Sequence, residues 1–155
     1  MSYLVALDAG HGMHTSGKQT VKLDKDIVID GKVVKKKGER IKENEWNRAV
    51  AKCCAEALKR CGIDYYYTAD MTGKTDTPLS TRAKRANSKK CDLLVSFHYN
   101  AIGSCDKWQT KCKGLLVLKT RGCQSGSTKF ANLVHKHLMA DIKYYDVILK
   151  PVVTE

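Results

Sequence analysis

The amino-acid sequence predicts an α/β fold, with a mixed, largely parallel sheet flanked by helices and a small hairpin inserted after the first strand. Three observations carry this. Short apolar runs rich in β-branched and aromatic residues alternate with segments whose apolar residues recur at helical spacing, the pattern of strands joined by crossover helices. At 155 residues the chain suits one core, and no repeat or linker interrupts it, so a single domain over residues 1–155 is expected. Its 43% hydrophobic and 28% charged residues belong to a soluble globular chain, and no apolar run approaches the ~20 residues of a membrane span.

Taken in order, residues 3–7 (YLVAL) read as a first strand buried on both faces. Asp8 ends it, and Gly10 and Gly12 let the backbone turn sharply around His11. A polar loop follows. The alternating residues 21–23, 27–29 and 33–34 then bracket Asp30-Gly31, a dipeptide that signals a hairpin turn. The first helix starts near Glu43. Trp46, Val50, Cys53 or Cys54, Ala57 and Cys61 mark its inner face, and Gly62 closes it.

Residues 63–68 form the second strand of the sheet. Thr77 caps a second helix with Pro78 at its first position. Residues 92–97 are a further strand, ended by His98. A long loop holding Trp108 leads to a strand at 114–119. A helix capped by Ser127 follows, with Phe130, Leu133, Val134 and Leu138 facing inward, and residues 144–149 and 151–155 form a last strand region.

Open α/β sheets bind ligands beyond the carboxyl ends of their strands. His11 and His98 both fall there, and Glu43 opens a helix from which it can cross the same crevice. Two histidines and a carboxylate with an open fourth position suit catalytic zinc. Spacing alone leaves Glu45 open as the acidic ligand, while Glu43 would also suit the helix dipole without any metal. His14 is a loop residue that could substitute as a ligand. His135 and His137 stand two apart on a helix and read as surface residues, and Arg82 reads as a structural, salt-bridging helix residue. Trp108 is a candidate for stacking on sugar or peptide. The absence of phosphate-loop and dinucleotide glycine motifs argues against nucleotide binding.

The net charge of +12 favours a polyanionic partner. Seven cysteines without a C-x-x-C pair, and an N-terminus without a signal peptide, suggest reduced thiols in a protein made in the cytoplasm. Cys105, Cys112 and Cys123 could form a structural zinc site.

LDAGHG (7–12), KENEWNRAVA (42–51), LSTRAKRAN (79–87), CDLLVSFHYNA (91–101) and KGLLVL (113–118) occur in the order and approximate spacing of one family. Together they make the chain resemble the zinc-dependent N-acetylmuramoyl-L-alanine amidases, the type 3 amidases found in phage endolysins and bacterial autolysins. The resemblance implies a zinc hydrolase that cleaves the amide between N-acetylmuramic acid and L-Ala in peptidoglycan. It implies His11, Glu43 and His98 as the zinc ligands. Glu43 is preferred because Asn47 then matches the family's helix asparagine.

It also implies Glu155, in PVVTE, as the catalytic acid and base. The segment before that strand is shorter than in the family and the chain stops at Glu155, so a truncated catalytic domain is expected. The alternative is a catalytically impaired amidase-like module that binds cell wall or another polyanion. Peptidoglycan and anionic wall polymers are the expected partners of a monomer, without nucleic acid or membrane. The protein would reach the wall after release by phage or mother-cell lysis.

Overall fold

Residue Leu7 has no exposed surface and sits in the middle strand of a three-stranded parallel sheet. The computed structural model describes residues 3–99, 106–107, 115–144 and 153–154. Two compact units make up the chain, Met1–Trp108 and Gln109–Glu155. In the first, the elements run β1 (Leu4–Ala9), β2 (Ile27–Ile29), β3 (Lys32–Lys35), α1 (Glu43–Arg60), β4 (Asp64–Tyr67), α2 (Leu79–Ser88) and β5 (Leu93–Phe97). The second holds β6 (Leu118–Lys119), α3 (Ser125–Tyr144) and β7 (Val153–Thr154). The fold class is α/β, as expected, with parallel strands in the order β4-β1-β5.

The first strand outruns its apolar stretch. Asp8 and Ala9 continue β1, paired in register with Ser96 and Phe97 of β5. Asp8 does not end the strand because its carboxylate is satisfied inside the protein. Its Oδ1 accepts hydrogen bonds from the Thr68 hydroxyl (2.7 Å) and from Arg82 Nη1 (3.1 Å), and its Oδ2 accepts one from the Ser96 hydroxyl (2.7 Å). A buried polar group with its partners in place is tolerated where a lone one is not.

Helix α1 runs over the expected range and turns a different face inward. Glu43, Asn44, Asn47, Ala51 and Ala55 are its buried residues, while Trp46 is exposed and packs against the Tyr99 ring at 5.5 Å. Cys53 and Cys61 are also exposed. The reason is steric and polar together. Alanine lets the helix approach the sheet, where Ala9, Ala51 and Ala69 form a core joined by Tyr67, Met71 and Phe97. At its start the helix must supply hydrogen-bond donors to bare carbonyls, and asparagine does so.

Helix α2 starts one residue later than expected. Pro78 itself is the cap residue, and the Thr77 hydroxyl accepts a hydrogen bond from the Asp70 N–H instead (3.3 Å).

The hairpin forms as the Asp-Gly signal predicts. Asp30 and Gly31 both have positive φ, 49° and 74°, and Val28 pairs with Val33 across antiparallel β2 and β3. Residues 21–23 are not a strand. Val21 and Leu23 are buried, and Leu23 exchanges backbone hydrogen bonds with Glu39 and Gly38 at the hairpin's base.

In the second unit, β6 and β7 pair in parallel. Ala131 is buried on α3, whereas Phe130, Leu133 and Leu138 are exposed rather than facing inward. A two-residue strand covers little more than one turn of a helix.

Candidate metal centre

The chain leaves β1 through Gly10, His11 and Gly12. The turn is made differently from the sequence expectation. His11 itself takes the left-handed conformation, at φ 61°, and neither glycine has positive φ. Gly10 is required for space, because a Cβ there would overlap the His98 imidazole. A non-glycine residue in this region of φ is strained, and such residues gather at functional sites.

Glu43, the first residue of α1, points back across this turn. His98, the residue after β5, meets it from the other side. His98 Nδ1 lies 2.9 Å from Glu43 Oε1, and His11 Nε2 lies 3.4 Å from the same oxygen. The two imidazoles stand edge to face, with centroids 4.9 Å apart at 88°. One ligand atom from each of the three residues falls within 4.8 Å of the others. Tetrahedral zinc with bonds of about 2.0–2.1 Å places its ligand atoms about 3.3 Å apart, so these side chains fit such an ion with small rotations.

The backbone around His11 is gripped from the helix side. Asn44 Nδ2 donates to the carbonyls of Gly10 (3.0 Å) and His11 (2.7 Å), and Asn47 Nδ2 donates to Gly10 (3.0 Å). Both asparagines are fully buried. Glu43, Asn44 and Asn47 thus form one polar stripe at helical spacing: Glu43 supplies a ligand and the asparagines fix the loop carrying another.

The electrostatics favour metal-ready protonation states. Burial holds the His11 pKa below its ordinary value, helped by His98 and Lys18 and opposed by Glu43 and Asp76. For Glu43, burial alone would raise the pKa. The hydrogen bond to His98, the charges the two imidazoles carry when protonated and the nearby Lys18 outweigh it, so the net direction is down. Neutral imidazole and ionised carboxylate are the forms that bind a divalent cation.

The choice between the two acids of α1 follows from geometry. Glu45 turns away: its Oε2 accepts the Lys42 N–H (3.0 Å), and its Oε1 pairs with Lys35 Nζ (2.9 Å). His14 is exposed and stands outside the His11, Glu43, His98 group. His137 is exposed as expected, while His135 is half-buried rather than a surface residue. Arg82 is buried and ion-paired with Asp8 at 3.1 Å, in keeping with its structural reading. Glu155, Trp108, Cys105 and Cys112 lie outside the described residues. Cys123 sits half-buried beside the Thr128 hydroxyl.

Three contributors lacked a signal of their own: Asp8, Asn44 and Asp76. For Asn44, only its place at helical spacing between Glu43 and Asn47 could have pointed to it.

The chain is similar to known proteins in sequence and in fold. A family described as N-acetylmuramoyl-L-alanine amidase matches residues 5–151. The catalytic domain of CwlV, an N-acetylmuramoyl-L-alanine amidase from Bacillus (Paenibacillus) polymyxa var. colistinus, is similar over 100% of this chain and 70% of its own length, with TM-score 0.69 and 25% identity. The amidase AmiC2 of Nostoc punctiforme is similar over 99% of this chain and 69% of its own, with TM-score 0.72 and 19% identity. Ami1 of Mycobacterium smegmatis is similar over 89% of this chain and 65% of its own, with TM-score 0.62 and 18% identity. At their identities the last two likenesses are of fold alone. No curated protein matches the chain by sequence.

Proposed function

The chain belongs to the N-acetylmuramoyl-L-alanine amidase family, and from that premise we propose that it hydrolyses the amide between N-acetylmuramic acid and L-Ala in peptidoglycan with a zinc ion held by His11, Glu43 and His98. The observation that supports this reading is the convergence of these three side chains, from three separate elements, within 4.8 Å at the carboxyl end of a parallel sheet. When bound, zinc supplies Lewis acidity to the scissile carbonyl and lowers the pKa of a coordinated water towards ~7.

The chain's own residues supply the rest. The lowered pKa values of Glu43 and His11 favour the forms of these two residues that bind a cation. An open cleft of about 350 Å³ beside His11 and His98 is walled by Asp76, Thr77, Pro78 and Leu79. Leu79 is 78% exposed, an apolar lip against which a sugar or peptide can rest. Glu155 is the proposed general base and acid. Its carboxylate takes a proton from the attacking water and returns it to the nitrogen of the departing L-Ala. The net charge of +12 supports attraction to anionic wall polymers once the protein has been released to the wall.

The test combines metal analysis with muramoyl-peptide release. The parent should carry one zinc per chain and release peptide. His98→Ala should lose both, a drop of roughly 10³-fold or more in rate. Glu155→Gln should keep its zinc and lose most of the rate. A parent without zinc, or an E155Q variant as active as the parent, would overturn the corresponding part of the reading. Pelleting with purified walls should weaken as salt rises, since screening shortens the reach of the charge.

A further inference from the structure

The geometry assigns to Arg82 the task of setting His11, the first ligand of the metal centre, and of tying it to the wall of the substrate cleft; this rests on the zinc reading above. A guanidinium carries five N–H donors in a rigid plane. All of them are engaged here, although the residue is only 3% exposed. Nε donates to the Thr77 carbonyl (2.6 Å). Nη1 donates to Asp8 Oδ1 (3.1 Å) and the Ala9 carbonyl (2.7 Å). Nη2 donates to the His11 carbonyl (3.3 Å) and Asp76 Oδ1 (3.1 Å).

An ion pair with Asp8 needs one of these donors. Three of the others go to backbone carbonyls, two of which lie within two residues of each other around His11. The His11 carbonyl thereby receives Arg82 on one side and Asn44 on the other. His11 is the residue held at φ 61°, and its backbone conformation decides where its imidazole points. The remaining donor reaches Asp76, whose other oxygen accepts the Thr15 hydroxyl (2.6 Å). Thr15 Oγ1 in turn accepts the Gly12 N–H (2.9 Å).

The contacts close a circuit, Arg82 to Asp76 to Thr15 to Gly12 and back through the His11 carbonyl. That circuit braces both flanks of the ligand and includes the cleft residue Asp76, while Nε holds the carbonyl of a second cleft residue, Thr77. A lysine could keep the charge beside Asp8, but its donors radiate from one point and cannot span these acceptors. Arg82 also borders the cleft, but with all five donors engaged by the protein it acts through His11, as a positioning residue.

The experiment compares the parent with Arg82→Lys and Asp76→Ala. It reads zinc affinity by chelator competition, the visible spectrum of the cobalt-substituted protein, and the HN–Hα coupling of His11 in the metal-free protein, which reports its φ. R82K should weaken zinc binding by about 10- to 100-fold, as losing a ligand's supporting hydrogen bonds does. It should also change the cobalt spectrum and shift the His11 coupling.

D76A removes a half-exposed contact outside the core. It should lower zinc affinity at least about threefold, with a melting temperature within about 2 °C of the parent. A role in stability alone would lower the R82K melting temperature and leave the spectrum, the zinc affinity and the coupling at parent values, and that result overturns the proposal. Should R82K not fold, parent-like zinc affinity and coupling in D76A overturn it. A parent that binds no zinc refutes the metal reading, and the His11 coupling then decides whether Arg82 holds that residue.

Discussion

Two regions of the first unit bury opposite kinds of residue. At the carboxyl end of β1, the interior holds Asp8, Glu43, Asn44, Asn47 and Arg82, none more than 7% exposed. On the hairpin, Val28, Ile29, Val33 and Val34 are each about half exposed, from 48% to 56%. A rule that places apolar residues inside and polar residues outside fails at both. It fails at the site because the charged side chains are paired and each asparagine donates from its amide nitrogen, so burying them leaves no bare charge, although Asn44 Oδ1 and Asn47 Oδ1 have no partner. It fails at the hairpin because the Asp30-Gly31 turn and the backbone pairing shape the ribbon locally, without a core against its tip. Substitutions at the site end are therefore expected to cost more stability than substitutions at the hairpin tip.

The largest expected effect breaks the site end. Asp8→Ala leaves the Arg82 guanidinium buried without its counter-charge and strips the Thr68 and Ser96 hydroxyls of their acceptor. Urea unfolding should show a loss of about 3–5 kcal/mol, a large share of a typical domain's stability. A loss below about 1 kcal/mol would mean that the network is not a closed, buried unit.

A smaller effect probes the other side of the comparison. Replacing Val28 and Val33 together by threonine keeps the branched shape needed for strand pairing and removes two exposed methyl groups. Stability should change by about 0.5 kcal/mol or less. A loss above about 2 kcal/mol would show that the hairpin is covered in solution, since only buried methyl groups cost that much.

The smallest effect lies in the loop that carries Asp76 and Thr77 to the site. Asp70 accepts hydrogen bonds from the Thr72 hydroxyl, the Thr72 N–H and the Thr75 N–H, with Arg48 nearby, and these hold its pKa at about 2 against an ordinary 3.8. Because the folded value is the lower one, its contribution is full above about pH 4 and is lost as pH falls towards 2. Asp70→Asn should flatten that part of the acid-unfolding curve by lowering stability at neutral pH, modestly because the group is exposed, while leaving stability near pH 2 closer to the parent's. An identical acid limb in the two proteins would show that the loop contacts do not persist in solution.

How much was legible beforehand follows from the range of each interaction. The α/β class, the parallel strands ending at His11 and His98, and the Asp-Gly hairpin all come from local patterning, and the structure has them in place. The three metal-ligand candidates were legible too, through motif order together with strand and helix ends. The inner faces of α1 and α3 were misread, because apolar periodicity says which side of a helix is greasy and not which side meets a neighbour. Trp46 is the clearest instance: its bulk would hold the helix off the sheet at a place where Ala51 and Ala55 let it approach.

By itself, then, the sequence determined the element types, the turn chemistry and which residues could serve as ligands. These depend on dihedral preferences and spacing within about ten residues. Spacing left Glu43 and Glu45 open and motif order preferred Glu43; tertiary structure supplied the physical reason, since Lys35 and the Lys42 N–H claim Glu45. Tertiary structure alone decided that His11, between two glycines, is the residue in the left-handed conformation, and that Asp8 continues a strand it was expected to end. Each outcome depends on partners far away in the chain: Asn44 for the His11 carbonyl, Thr68, Arg82 and Ser96 for Asp8. A buried polar group is stable only once those partners have arrived, and no local pattern records their arrival.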